Sequence, residues 1–124
     1  MDKTLFIVGA ASAFIAVVLG AFAAHLLKDK LPPDMFNVFE VAVRYQMYHA
    51  FALLIAAFAA NWIGNYATIA GWLFIAGIII FSGSLYALSC SGQKWLGAVT
   101  PIGGLLFLAG WAFLFVGAIS VTKK

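Results

Sequence analysis

The residues able to do chemistry are few, and they are gathered. His25 stands near the end of one apolar stretch, and Glu40, Arg44, Tyr45, Gln46, Tyr48 and His49 crowd into ten residues. Phe81-Ser82-Gly83-Ser84-Leu85-Tyr86 brings two hydroxyls and a phenol, and Thr100-Pro101-Ile102-Gly103-Gly104 opens the last apolar stretch. On a helix turning about 100° per residue, Glu40, Arg44 and Tyr48 are neighbours, with Tyr45 and His49 continuing the arc. Glu40 and Arg44 are four apart, the spacing at which opposite charges meet on a helix surface. Two readings follow. The pair is an interfacial ion pair that anchors a helix end, or it belongs to a polar wall facing the interior, where ionisable groups within membrane spans usually point. His49, the deepest of the run, can relay a proton, ligate a metal or accept a hydrogen bond. Ser82, Ser84 and Thr100 are the hydroxyls in reach of a structural bond to it.

None of this forms a catalytic motif. There is no G-x-S-x-G, no H-E-x-x-H, no phosphate-binding glycine loop and no carboxylate pair at working distance. Two histidines and one cysteine make no metal-ligand spacing, and no cofactor is expected. Cys90 reads as a small apolar filler near a helix end. Pro101 with Gly103-Gly104 either loosens the start of the last helix and frees carbonyls, or simply occupies a first turn, where proline is tolerated.

The elements that must position these residues are set by composition. The chain has 124 residues, 65% of them hydrophobic and 9% charged, against roughly 25% charged in a soluble domain. So few charges cannot solvate so much apolar surface, and a lipid-facing exterior resolves the conflict. The net charge of +3 comes from lysines near segment ends, suited to anionic headgroups. Nucleic acid is excluded as a partner, since no basic stripe lies on a polar face.

Four helices are expected, spanning approximately 4–27, 36–62, 67–89 and 96–121, in a single all-α transmembrane domain. Lys28-Asp29-Lys30 with Pro32-Pro33, then Asn61, Gly64 and Asn65, then Ser91-Gly92-Gln93-Lys94 separate them. The first apolar run is too long for a signal-peptide core of about 7–15 residues and reads as an uncleaved span. Four spans put both termini on one side, with Lys3, Lys123 and Lys124. Lys28, Lys30 and Lys94 face the other, joined by Arg44 if it lies shallow. The positive-inside rule therefore returns nearly a tie and assigns no orientation. Alternation also brings every polar stretch to the side opposite the termini, leaving a plain apolar half beside them.

Small residues fall at packing intervals. Gly9, Ala13, Ala16, Gly20 and Ala24 share a face of the first span, and Ala52, Ala56 and Ala60 share one on the second. Such stripes let backbones approach where lipid gives no hydrophobic drive to associate. Residues 71–77 and 104–110 both read G-x-L-F-x-A-G, an echo that low complexity accounts for and that only an inverted repeat could use.

Gly20-Ala21-Phe22-Ala23-Ala24-His25, Tyr45-Gln46-Met47-Tyr48-His49-Ala50, the Phe81–Tyr86 and Thr100–Gly104 stretches and Gly110-Trp111, in this order, resemble the YgdD/YwdK-type proteins. These are a domain-of-unknown-function family of small bacterial membrane proteins with distant eukaryotic relatives. The resemblance covers essentially the whole chain, with Ala23 and Leu26 where glycines are usual. It implies a four-helix membrane fold in the bacterial plasma membrane and supplies no activity. The first functional expectation is a non-enzymatic assembly or accessory protein whose partners are the bilayer and a second copy or another membrane protein. The alternatives are a small transporter or channel component built around the polar half, and an intramembrane lipid-binding protein or enzyme.

Overall fold

The computed structural model describes residues 1–122; Lys123, Lys124 and the side chains of Ala24 and Thr122 lie outside the described residues, and with them the expectations that named them. The elements are α1 (Lys3–Phe22), α2 (Pro33–Ile63), α3 (Asn65–Gly77), α4 (Gly83–Ser91) and α5 (Thr100–Thr122). A π-helical turn, Ala23–Leu27, prolongs α1, and a second, Ile78–Ser82, fuses α3 and α4 into one rod. A 3-10 turn, Lys94–Ala98, leads into α5. The result is four rods, Lys3–Leu27, Pro33–Ile63, Asn65–Ser91 and Lys94–Val121, each long and apolar enough to cross a bilayer. At about 1.5 Å per residue, even the shortest exceeds the roughly 30 Å hydrocarbon core. No strand occurs among the described residues.

Local chemistry sets the ends. The Asp2 carboxylate caps α1 by accepting from the Leu5 amide at 3.1 Å. Pro33 opens α2, where its missing N–H costs nothing and its fixed φ suits the helix. The second span thus starts three residues before Phe36. Gly64 alone joins α2 to α3, at φ +60° and ψ −128°, a conformation that side chains other than glycine's rarely allow. The Asp2 amide donates to Ala57 O at 3.0 Å, and a Cβ on Gly117 would meet Tyr66. Both contacts put the two ends of the described chain on the same side as the α2–α3 joint.

α2 and the third rod form the central pair. α1 leans on α2, and α5 leans on α3 and the π turn, so the outer helices are held by the central pair rather than by each other. One core cluster, including Leu5, Leu53, Ala56, Phe74 and Phe107, fills the half near the termini. A smaller one around Ala42, Leu85 and Leu88 lies toward the other end. Phe14, Ile7, Leu108 and Phe115 point outward and are more than three-fifths exposed, where a soluble protein would carry charge.

The small residues lie in these seams. A Cβ on Gly9 would sit 3.0 Å from Leu53 Cβ, and one on Gly20 would sit 3.5 Å from Val43 Cγ1. Ala16, Ala52 and Ala56 are fully buried, and Ala13 and Ala60 are half-buried. The G-x-L-F-x-A-G echo is a packing device. Its two copies run antiparallel, and a Cβ on Gly77 would strike the Phe107 ring at 2.5 Å while one on Gly110 would strike Phe74 at 2.5 Å. Each phenylalanine occupies the space left by the other copy's last glycine. Low complexity does not explain that reciprocity.

Candidate functional site

The polar run on α2 divides between two faces. The buried face is Phe39, Ala42, Gln46, His49, Ala50 and Leu53, so Gln46 and His49 point inward. Arg44 and Tyr48 lie about 160° around the helix from Gln46, and both are exposed, as is Tyr45 on the rim. The expected arc from Glu40 to His49 is therefore not a wall. Glu40 and Arg44 make no ion pair or hydrogen bond among the described residues. They line a cleft of about 150 Å³ with Gly20, Ala23, Phe36 and Val43. Glu40 sits in the first third of a rod longer than the hydrocarbon core and Arg44 one turn further in, from which a long basic side chain extends toward the headgroups rather than to a carboxylate. His25 is exposed in the first π turn, beside Ala21, Phe22 and Leu26, apart from the other polar groups.

The inward groups tie the rods together. Gln46 Nε2 donates to Ser12 O at 2.9 Å, and Tyr86 Oη donates to Gln46 Oε1 at 2.7 Å, so one amide bridges three rods. Ser82, fully buried, donates to Ala42 O at 2.8 Å. This contact exists because the π turn's extra residue breaks the register, with the Gly83 amide reaching back to Ile78 O. The Ser84 and Thr100 hydroxyls meet at 2.6 Å and join α4 to α5.

His49 meets none of the three hydroxyls expected to partner it, because each is engaged elsewhere. Its Nδ1 lies 2.8 Å from Tyr45 O, and Trp111 Nε1 donates to its Nε2 at 3.2 Å. A carbonyl and an indole N–H dictate the tautomer, since the first only accepts and the second only donates. The proton therefore resides on Nδ1 and Nε2 accepts. The ring stacks on Phe107 with centroids 3.5 Å apart and planes 6° from parallel.

Two residues of this network, Ser12 and Trp111, were not among the candidates. Ser12 is a lone serine in an apolar helix, a type that ordinarily bonds its own backbone. Trp111 lies 62 positions from His49, and only its indole N–H, a donor that seeks a partner when buried, hinted at a role.

Because Gln46 holds two interhelix bonds and Tyr86 one, their substitutions should differ. Tyr86→Phe keeps the ring against Phe39, at 5.0 Å between centroids, and should cost about 0.5–1 kcal/mol. Gln46→Leu should cost about 1–2 kcal/mol, the sum of two such bonds. Unfolding in mixed micelles of rising denaturing-detergent fraction measures both; equal losses would mean that the amide does not brace three rods.

Residues 19–104 match the family model described as a protein of unknown function, DUF423. The chain belongs to the DUF423 family. It is 44% identical over 119 residues to the UPF0382 membrane protein YwdK of Bacillus subtilis, covering 94% of this chain and 97% of that one. It is 47% identical over 114 residues to a UPF0382 membrane protein of Staphylococcus aureus, covering 92% and 93%. A Staphylococcus epidermidis relative is 44% identical over 117 residues, covering 94% and 96%. No solved structure matches. The expected family and its bacterial membrane setting hold, and this DUF423 protein is a multi-pass, all-α membrane protein in contact with the lipid bilayer.

Proposed function

We propose that this DUF423 protein is a non-enzymatic assembly or accessory protein of the membrane, acting as a homo-oligomer or as a subunit beside another membrane protein. The supporting observation is how the inward polar groups are engaged: Gln46, His49, Ser82, Ser84 and Thr100 all bond from one rod to another. A polar set that fixes helix positions leaves few groups for chemistry. Arg44, Tyr45 and Tyr48 face outward, which weakens a transporter reading that needs them to line a path. The outer helices meanwhile offer long apolar faces, including Phe14, Leu108 and Phe115. In the membrane, such faces serve lipid or another helix equally well.

Mass measurement in mild detergent, with crosslinking in native membranes, tests the reading. Species heavier than the 13.3 kDa chain are expected, with crosslinks from positions on the outer faces of α1 and α5. A strictly monomeric protein that recovers no crosslinked partner would overturn it.

A further inference from the structure

A groove of about 420 Å³ runs between α1 and the third rod, open on its outer side; Ser12, Ile15, Gln46, Ile79, Gly83 and Tyr86 are among its lining residues. Its walls are apolar and its floor is not. Ser12 is only 9% exposed, and its Oγ has no hydrogen-bond partner. The Gln46 amide, 5% exposed, gives one N–H to Ser12 O and has a second left over. Tyr86 fixes the amide's orientation by donating to its oxygen, which turns the nitrogen toward Ser12. Two donors thus border the same groove without an acceptor. In hydrocarbon no bulk water is present to supply one, and an unmet buried hydroxyl costs about 1–3 kcal/mol.

Depth and volume narrow what can fill the site. Ser12 and Gln46 each lie within about one turn of the midpoint of their rods, and hence near the middle of the bilayer. The ester and headgroup oxygens of a phospholipid sit roughly 15 Å away, at the edge of the hydrocarbon, and its tails carry no acceptor. Fatty acids and alcohols likewise hold their oxygens at the surface. Two turns of a helix about 11 Å across displace about 1,000 Å³, more than twice the groove. The volume instead falls within the roughly 300–1,000 Å³ of small-molecule sites. What remains is an apolar small molecule that carries its acceptor into the hydrocarbon interior.

We propose that this groove binds a membrane-dissolved carbonyl compound of the prenylated-quinone class, a ring carbonyl accepting from Ser12 Oγ and from the free N–H of Gln46. The prenyl tail lies along Ile15 and Ile79. Gly83 leaves the wall open there, since a Cβ at that position meets nothing within 4 Å. Ser12 and Gln46 are binding residues, and Tyr86 is a positioning residue that acts through Gln46.

Equilibrium binding to the purified full chain in lipid nanodiscs tests this. The probes are a quinone carrying two isoprene units and the prenylated arene of the same shape without oxygens. The quinone should bind saturably, one per chain, and about tenfold or more tighter than the arene, a difference of about 1.4 kcal/mol. Ser12→Ala should weaken quinone binding several-fold and leave arene binding unchanged. Gly83→Phe should exclude both probes. Gly83→Ala, a favourable change in a helix, keeps the fold and should weaken both modestly, which guards against a misfolded phenylalanine variant. Equal binding of quinone and arene would overturn the proposal. So would an unaffected Ser12→Ala protein, or absence of saturable binding, including the case in which a second copy of the chain occupies the groove.

Discussion

Gly103→Ala should destabilise the fold by about 3 kcal/mol, the upper end of what overpacking costs, while the same change one residue later should not destabilise it at all. The difference comes from what each new methyl would meet. A Cβ on Gly103 would lie 2.4 Å from the Phe81 amide nitrogen and 2.8 Å from its Cα. These are backbone atoms of a π turn flanked by α3 and α4, and no rotamer change relieves the clash. α5 must move outward as a body, which stretches the Ser84–Thr100 bond at its first turn. On Gly104 the nearest atom is Phe81 Cδ2 at 3.9 Å, an ordinary contact. Alanine there gains up to about 1 kcal/mol of helix propensity. Unfolding of both variants in mixed micelles reads the contrast directly. Equal midpoints would show that α5 does not lie closely against the π turn.

That close approach also marks where the sequence is silent. The four rods are legible because each is a long apolar run broken by Asn, Gly, Pro or Lys, and hydropathy alone separates them. The π turn at Ile78–Ser82 has no such signature: Ile78-Ile79-Ile80-Phe81-Ser82 reads as uninterrupted helix. Only tertiary contacts select the extra residue that carries Ser82 to Ala42 O. The polar decade on α2 misleads differently. Glu40 and Arg44 are its loudest residues, whereas Ala42, Ala50 and Leu53 define the buried stripe. Centred on those, the helix turns Gln46 and His49 inward and Arg44 and Tyr48 out. The G-x-L-F-x-A-G echo was visible as letters, but its use depends on two antiparallel rods meeting in register, so that Phe74 and Phe107 exchange glycines. Ser12 stayed hidden because nothing in its neighbours distinguishes a serine that bonds its own helix from one left facing a groove.

His49→Ala should be the most damaging single change on α2, at about 3–5 kcal/mol, the range for removing a buried aromatic ring. The imidazole fills the space between Phe107, stacked on it, and Phe74, whose centroid is 5.6 Å away. Truncation empties that space and strips the Trp111 indole of its acceptor. Because two losses are combined, the informative variants are those that separate them. His49→Phe retains a flat ring against Phe107 but orphans the indole N–H, and should cost about 1–2 kcal/mol. Trp111→Phe removes the donor and leaves Nε2 without a partner, at a similar cost. In the double variant neither group is left unmet. Its loss should therefore fall short of the sum of the singles by about 1 kcal/mol, near the upper range of interhelix hydrogen bonds in membranes. Additive losses would mean that the 3.2 Å contact is proximity without a bond. The same cycle weighs the structural role of this histidine against a transport role. A hydrogen bond that clamps α2 to α5 couples in stability and leaves vesicle flux at background in all four proteins. A proton-relaying histidine would instead produce a flux in the wild type that disappears with His49→Phe, whatever residue stands at position 111.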